Sequence, residues 1–586
     1  MKIEEILDKY NKQDLKNIGY EDILMDLNSV SSEEMKSNKY AFELLSFRLQ
    51  PQHGENPWGN YHFGPQLTFC DTNGTPVYSP SFTEITKEAV EYWNSRISEC
   101  DNPMLKLRYS TLVWDFQPSI CHKPNDGDLY NIIVDTALDV CNGDYFSHPV
   151  LTVNLLEWLF SFTRNREDSL AKVKTAYVEF EKRHSRDDAI RYWSSRFQIM
   201  LDNKKSFTEI EKEKIVKEHE SRLNRLANPD EDTNLNPWTI KAQACLLADY
   251  YTSKTQRDDV KRVLTVMEKS FHDYKESMTG MQYAGNLEDI QHLYRHYNMD
   301  SEAKRMMIDV QNAYQKALDE MQLQKIEFEI PDDEKKLAEL RFGKGAENDQ
   351  VRWDNFTIYF IPLINEEEKS LKEMAQKFPF QYMVGSHFLD AKGRPMVEVG
   401  SLEADYDGNF ALHVVENMNL KFYFLGMAIQ NMLDCDAISV DKIMDKIIRS
   451  CPIFEEDRYD IIRDALQCFM DKKYVLFSHL LIPQLENAIC NLVEMSGMSV
   501  LKFSKKGKGY QLKTLDDLLR TQPVVDAFTE DGAYYLRLVL TNQLGLNLRN
   551  LMCHGIASPQ YFGYSAAVRL LHVLFMIGAI KEKDNK

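Results

Sequence analysis

Apolar residues recur three and four positions apart along most of residues 1–335, which is the spacing of one face of an α-helix. The segments MLKLRYSTLVWDF at 104–116 and VKRVLTVMEKSF at 260–271 show it most clearly. WTIKAQACLLADYY at 238–251 is apolar on nearly all sides, which predicts a buried helix. No fixed repeat period joins these segments, so we predict an irregular helical array for 1–335.

The pattern changes between residues 336 and 437. KGAENDQ at 344–350 has the composition of a linker, and segments 353–364 and 380–401 change to an extended pattern. The extended runs flank Asp390, Ala391, Lys392 and Gly393, which predicts a β-hairpin. We therefore expect a small mixed α+β linker region at 336–437.

Residues 438–586 carry clear helix boundaries. Ser439 can cap a helix that stops before Pro452, and Thr514 with Asp517 forms an acidic variant of a capping box. A long apolar segment at 473–497 contains Pro483 and ends in glycine. These signals predict a compact helical bundle at 438–586, and a mainly α fold for the whole chain.

The net charge of the chain, −20 over 586 residues, argues against a protein that coats nucleic acid through a globally basic surface. The charge is unevenly distributed, with about +2 on residues 441–586 and about −22 on residues 1–440. The C-terminal quarter can therefore approach a phosphate backbone, whereas the rest mostly repels one.

The chain has no features of export or membrane insertion in its sequence. MKIEEILDKY lacks the basic start and apolar run of a secretory signal, and no apolar run reaches the roughly 20 residues of a membrane span. We expect a cytoplasmic protein with no membrane partner. No HExxH, P-loop or GxGxxG motif occurs, so we expect neither a metal nor a cofactor.

The candidate chemistry lies in LNLRNLMCHGI at 546–556. Arg549 and His554 are five apart, a spacing that by itself carries little information, since Arg48 and His53 repeat it. Pro51 prevents a helix from holding that earlier pair. At 549–554 the context is helical, and there Asn550 and His554, four residues apart, share a helical face.

R-N-x-x-x-H within a small helical bundle resembles the signature of the HEPN superfamily, many of whose members are metal-independent ribonucleases. The resemblance covers about residues 440–580 and includes HLLIPQLENAICNL at 479–492. These segments are similar to the C-terminal domain of a bacterial family with long helical N-terminal regions. A HEPN-like bundle at 438–586 is therefore the fold that the resemblance implies.

The resemblance implies a metal-independent endoribonuclease in which the 2′-hydroxyl of RNA attacks the adjacent phosphate. His554 would transfer protons, and Arg549 would stabilise the charge that develops on the phosphate oxygens. Asn550 would orient His554 or the phosphate, and Glu486 is a weaker candidate for a partner of His554 or Arg549. Sites in this superfamily are usually composite, which implies a homodimer through the C-terminal bundle.

The same resemblance points to bacterial antiphage or toxin-like defence. A nuclease in its own cytoplasm must be restrained, and residues 1–335 are then a candidate regulatory arm for a phage-derived or protein trigger. RNA contacts are predicted in KFSKKGKGYQLK at 502–513, where Lys505, Lys506 and Lys508 stand near Tyr510, an aromatic side chain suited to stacking. A merely solvated basic loop is the alternative for this segment.

A second hypothesis is a non-catalytic dimeric interaction protein in which the bundle is structural. His554 would then be a core histidine whose hydrogen bonds are made within the protein, and Arg549 would be an ordinary surface ion-pair donor. The position of these two side chains, buried or facing a groove, separates the two hypotheses.

Overall fold

The computed structural model describes residues 2–52, 54–70, 75–229, 235–320, 329–390, 393–504, 507 and 509–581. It confirms a mainly α fold with a few short antiparallel strand pairs. The chain divides into two compact units. The first comprises Met1–Met278 and Asp289–Ala303, and the second comprises Thr279–Glu288 and Lys304–Lys586. The predicted segments 336–437 and 438–586 thus belong to one unit.

The first unit is an array of helices with two small strand pairs. Its α-helices are α1 (Ile3–Tyr10), α2 (Tyr20–Asn28), α3 (Asn38–Arg48), α4 (Lys87–Glu99), α5 (Pro103–Phe116), α6 (Gly127–Gly143), α7 (Pro149–Thr163), α8 (Glu167–His184), α9 (Ile190–Asp202), α10 (Glu209–Ala227), α11 (Pro237–Ser253) and α12 (Arg257–Asp273). Strands β1 (Gln50–Pro51) and β2 (Phe63–Gly64) pair antiparallel, as do β3 (Leu67–Cys70) and β4 (Pro76–Ser79). Helices α13 (Gly280–His296) and α14 (Asp300–Glu320) contain residues of both units.

The predicted helices of the first unit form where capping and periodicity agree. Asn102 accepts a hydrogen bond from the backbone of Met104 and precedes Pro103, the first residue of α5. Asn236 caps α11 in the same way before Pro237. Asparagine at the cap and proline at the first helical position are both favoured, because proline lacks an N–H that would stay unpaired there. The apolar stripes predicted for α5 and α12 are buried.

The second unit contains the remaining elements. Its helices are α15 (Asp332–Phe342), α16 (Asp349–Tyr359), α17 (Ile364–Lys377), α18 (Pro379–Met383), α19 (Tyr406–Asp434), α20 (Val440–Ile443), α21 (Tyr459–Met470), α22 (Tyr474–Met495), α23 (Leu515–Leu519), α24 (Gln522–Leu540), α25 (Leu548–Cys553) and α26 (Tyr564–Gly578). Strands β5 (Ser386–Leu389) and β6 (Pro395–Val399) pair antiparallel, as do β7 (Leu501–Phe503) and β8 (Tyr510–Leu512).

One hydrophobic core runs through the second unit from α15 to α26. Helix α26 is its central element, since every residue from Ala566 to Gly578 is buried. A helix that is apolar on nearly all sides, as α26 is apart from Arg569 and His572, is stable only when other elements surround it. Helix α19, 29 residues long, buries Val414, Leu425 and Ile429 in the same core.

The structure corrects one expectation for the middle region and confirms another. Residues 349–359 are helical, so the extended structure expected from Trp353 onward is wrong. Asn348 caps this helix, and Trp353 and Phe356, three apart, enter the core together. The hairpin of β5 and β6 is confirmed, although Ala391 and Lys392 of its turn lie outside the described residues.

The helix signals of the C-terminal segment are confirmed. Ser439 accepts a hydrogen bond from the backbone of Lys442, and Thr514 and Asp517 form the predicted capping box. Helix α22 contains Pro483, and Gly497 follows it with a φ of 83°. Within the described residues, none of the helices combines the length and the apolar character needed to cross a membrane.

Candidate active site

The candidate site is built on α25, a six-residue helix. It follows a loop after α24 that is held in place by hydrogen bonds. The backbone N–H of Leu546 donates to the carbonyl of Leu538 at 2.8 Å. The hydroxyl of Tyr561 donates to the carbonyl of Leu546 at 3.0 Å. Asn547 then enters the left-handed region with a φ of 51°, which asparagine tolerates better than most residues. The backbone before Arg549 is therefore fixed by its own contacts.

Apolar side chains anchor α25 to the core. Leu548 is buried, and Leu551 and Met552 pack against the core cluster while partly exposed. The polar side chains of Arg549 and Asn550 bind groups outside this apolar contact.

Arg549 forms a bidentate ion pair with Glu486 of α22. Its Nε donates to Glu486 Oε2 at 2.8 Å and its Nη2 donates to Oε1 at 2.9 Å. About a quarter of each side chain is exposed, 23% for Arg549 and 25% for Glu486. The hydrogen bonds to Glu486 raise the pKa of Arg549. The sequence suggested Glu486 as a partner of either His554 or Arg549, and in the structure Glu486 binds Arg549.

Asn550 holds the loop and the arginine together. Its Nδ2 donates to the carbonyl of Thr541 at 3.1 Å and to Asn547 Oδ1 at 2.8 Å. Its Oδ1 accepts from Arg549 Nη1 at 3.3 Å. No hydrogen bond joins Asn550 to the His554 imidazole among the described residues. The Asn550 side chain therefore orients Arg549. It does not bind the His554 imidazole, which the sequence suggested as one of its targets.

His554 stands at the C-terminal end of α25 with its side chain exposed. Its backbone N–H donates to the carbonyl of Asn550 at 3.0 Å, whereas its imidazole has no hydrogen-bond or ion-pair partner within the described residues. Helical spacing separates positions 549 and 554 by about 140° around the axis. The guanidinium contacts Glu486 on α22, whereas the imidazole is exposed.

The surface beside His554 is open. Gly555 has a φ of 60°, and among the described residues beyond its two chain neighbours no heavy atom lies within 4 Å of the point where a Cβ would stand. Cys553 is also exposed. Glycine adopts this backbone conformation without strain, and it leaves room for a molecule to approach the imidazole.

The predicted RNA-binding segment folds as the hairpin of β7 and β8. Tyr510 is 68% exposed, and its ring centroid lies 5.2 Å from that of Phe503, which is 78% exposed. Sequence reasoning did not single out Phe503, although the alternation of Leu501 and Phe503 places both on one face of a strand. The predicted contacts Lys505, Lys506 and Lys508 lie outside the described residues.

Among the described residues, His, Cys, Asp and Glu side chains do not gather in groups of three that could hold a metal ion. No family model, curated protein or solved structure matches this chain. The resemblance to the HEPN superfamily therefore depends on the residues themselves.

Proposed function

We propose that this protein is a metal-independent endoribonuclease of the HEPN type. The observation that carries the proposal is an exposed imidazole that has no partner among the described residues, five residues after a guanidinium that Glu486 fixes in place. In the proposed reaction the RNA 2′-hydroxyl loses its proton and attacks the neighbouring phosphorus. The bond from phosphorus to the 5′-oxygen breaks, so that a 2′,3′-cyclic phosphate forms and the 5′-oxygen leaves as a hydroxyl. His554 moves the protons and Arg549 stabilises the extra negative charge on the phosphate oxygens.

The contacts of Arg549 suit this role. A guanidinium has five N–H donors, and three of them are used by Glu486 and Asn550. Two donors, one on each terminal nitrogen, remain for a phosphate. Because Glu486 already fixes the side chain, little further conformational freedom is lost when the phosphate binds.

A second copy of the chain completes the proposed site. One chain supplies a single open surface at His554 and Gly555, and an RNA strand bound there would remain in contact with water. A homodimer through the C-terminal bundle would add a second wall, so that two imidazoles and two guanidiniums line one cleft. The exposed rings of Phe503 and Tyr510 are suited to stack on unpaired bases of the same RNA.

In this proposal the protein acts in bacterial antiphage or toxin-like defence in the cytoplasm. Residues 1–335 would act as a regulatory arm that answers a phage-derived or protein trigger. No residue of the arm is assigned to the trigger. This part of the proposal rests on the resemblance and on the need to restrain a nuclease.

The direct test is RNA cleavage by the purified full chain in the presence of EDTA. We expect cleavage of tRNA or total cellular RNA with 2′,3′-cyclic phosphate ends, and its loss in His554→Ala. Cys553→Ala is the matched control, because it changes the neighbouring exposed side chain and should retain cleavage. Full activity in His554→Ala, with unchanged helix content, would falsify the assignment.

A non-catalytic dimeric interaction protein is the second candidate. The observation in its favour is the bidentate pair itself, because Arg549 and Glu486 can join α25 to α22 without any chemistry. On this alternative the wild-type chain forms dimers but leaves RNA intact under every condition in which its bundle is folded.

A further inference from the structure

The first unit contains a cavity of about 320 Å³ among α2, α5, α7 and the strand pair of β1 and β2. Ligand pockets usually measure roughly 300 to 1,000 Å³, so this cavity suits a small ligand. Several of its lining side chains are half-buried and not sealed inside the core, namely Tyr20, Pro51, Leu151, Leu155 and Trp158. A ligand that enters the cavity therefore meets a mainly apolar surface.

Arg108 of α5 lines the same cavity, and only 2% of this residue is exposed. Within the described residues it forms no ion pair with a carboxylate. Burial lowers the pKa of Arg108 to about 10, so its guanidinium is still charged at neutral pH. A buried charge is costly unless an opposite charge compensates it. The cavity is thus bordered by a positive charge that calls for an anion.

Neutral groups hold the Arg108 guanidinium in place. Its Nε donates to the carbonyl of Ser46 at 2.8 Å, and its Nη2 donates to the carbonyls of Ser46 and Leu49 at the end of α3. The ring centroids of Tyr20 and Phe63 lie 4.8 and 4.7 Å from its Cζ. Its Nη1 has no hydrogen-bond partner among the described residues and keeps some accessible surface. A ligand in the cavity can therefore bind Nη1 while the other nitrogens keep their contacts.

An aromatic stack makes one wall of the cavity rigid. The His62 and Trp158 rings stack with centroids 4.8 Å apart, and Trp158 stacks in turn on Phe162 at 4.9 Å. Asp115 accepts hydrogen bonds from the backbone N–H groups of His62 and Phe63 at 3.0 and 2.8 Å, which ties this segment to α5. Because the wall is already ordered, less conformational entropy is lost when a ligand binds.

The charges around the cavity favour an anion with a single negative charge. A carboxylate has one, and its oxygens are good acceptors for the N–H groups of a guanidinium. A phosphate ester carries roughly 1.5 to 2 negative charges at neutral pH, so part of its charge would stay uncompensated in apolar surroundings. Glu21, an exposed residue that also lines the cavity, disfavours a dianion further.

We propose that this cavity binds a small organic carboxylate with an apolar body, of the size of phenylacetate or indole-3-acetate. The carboxylate would accept hydrogen bonds from Nη1 of Arg108. The apolar body would contact Leu151, Leu155 and the accessible part of Trp158. The proposal concerns the first unit alone and does not depend on ribonuclease activity.

Isothermal titration of the full chain with phenylacetate, indole-3-acetate and 4-methylpentanoate tests this proposal. We expect saturable binding of at least one of them, with one site per chain. Its primary amide has nearly the same shape without the charge, and acetate has the charge without the apolar body, so each should bind at least tenfold more weakly. Absence of saturable binding by all three carboxylates up to millimolar concentration would overturn the proposal, and so would an amide that binds as tightly as its carboxylate.

A matched pair of variants locates the binding and leaves Arg108, which holds the end of α3, unchanged. Gln50 and Gln52 are both half-buried, and each donates from Nε2 to a backbone carbonyl, at 3.0 and 3.1 Å. Gln50 lines the cavity and Gln52 does not. Gln50→Glu places a carboxylate beside the ligand and should weaken its binding at least tenfold, whereas Gln52→Glu should change the affinity less than threefold. Equal affinity of the two variants would show that the carboxylate binds elsewhere and would reject the cavity.

Discussion

The ion pair between Arg549 and Glu486 gives the sharpest prediction for the candidate site. In Glu486→Gln the shape of the side chain is kept, one oxygen still accepts a hydrogen bond, and the negative charge is lost. Arg549 then has an uncompensated charge at a position where only 23% of its side chain is exposed. We expect α25 to open more often, because this pair holds it to α22.

The size of the effect follows from the two hydrogen bonds at 2.8 and 2.9 Å. A hydrogen bond to a charged group contributes about 1.5 to 3 kcal/mol net in buried sites. Both side chains are about one quarter exposed, and solvent screening reduces this to about 1 to 2 kcal/mol for the pair. That energy corresponds to about a five- to thirtyfold increase in the population of the open state.

Hydrogen exchange measured by mass spectrometry reads this opening locally and needs no global unfolding of a two-unit chain. Peptides that cover 548–556 should exchange about five- to thirtyfold faster in Glu486→Gln. Glu494→Gln is the control, since Glu494 is exposed on the same helix and forms no ion pair within the described residues. If Glu486→Gln and Glu494→Gln exchange alike, the pair does not hold α25.

Three further predictions follow from the second unit. Burial lowers the pKa of His572 from about 6.5 to about 3, so its contribution to stability is complete above pH 6.5 and falls by about 1.4 kcal/mol per pH unit below it. Calorimetry from pH 7 to 5 should therefore show a smaller loss of thermal stability for that unit in His572→Gln, and equal slopes would contradict this. In Gly555→Ala, hydrogen exchange should show that α25 opens about fivefold more often, because a φ of 60° costs about 1 kcal/mol for alanine. Gly127→Ala is the control and should leave the exchange of α25 unchanged. Phe503→Ala should weaken binding of single-stranded RNA about tenfold or more in a His554→Ala background, as stacking contributes about 1 to 3 kcal/mol per base. Phe380→Ala, which removes another exposed ring, is the control for Phe503→Ala. If the two variants bind RNA with equal affinity, the hairpin of β7 and β8 is not part of the RNA site.

Periodicity predicted the helices that have one buried face. In α12 the apolar residues recur at helical spacing and most of the rest are polar, so the sequence alone indicates which face is covered. Helix α5 shows the same spacing, but it buries every residue from Leu107 to Val113 and so is covered on all sides. Periodicity failed at α16, where Trp353 and Phe356 lie in a segment of aromatic and β-branched residues that also suits a strand. It also missed α19, because that helix packs against several neighbours and its apolar residues are not confined to one stripe.

The residues of the candidate site were predictable as residue types, whereas their contacts were not. Glu486 and Arg549 are 63 positions apart, and only the packing of α22 beside α25 brings them together. The attachment of Asn550 to the carbonyl of Thr541 depends on the left-handed turn at Asn547. No local pattern encodes that turn, although asparagine is one of the few residues that adopt it readily.

The histidines of the second unit differ in a way that bears on catalysis. His572 is buried, its Nδ1 is 2.8 Å from the Tyr535 hydroxyl, and its pKa near 3 keeps it neutral at physiological pH. The other histidines with partners are His387 and His413, which lie near glutamates, and His479, which is 2.7 Å from a backbone carbonyl.

Among the described residues of that unit, His554 is the remaining histidine and the one without a hydrogen-bond or ion-pair partner. A general acid or base must exchange protons with its substrate, so a buried imidazole such as that of His572 is poorly suited to the task. The unit therefore leaves one imidazole free, and it stands at the end of the helix in which Glu486 holds the arginine.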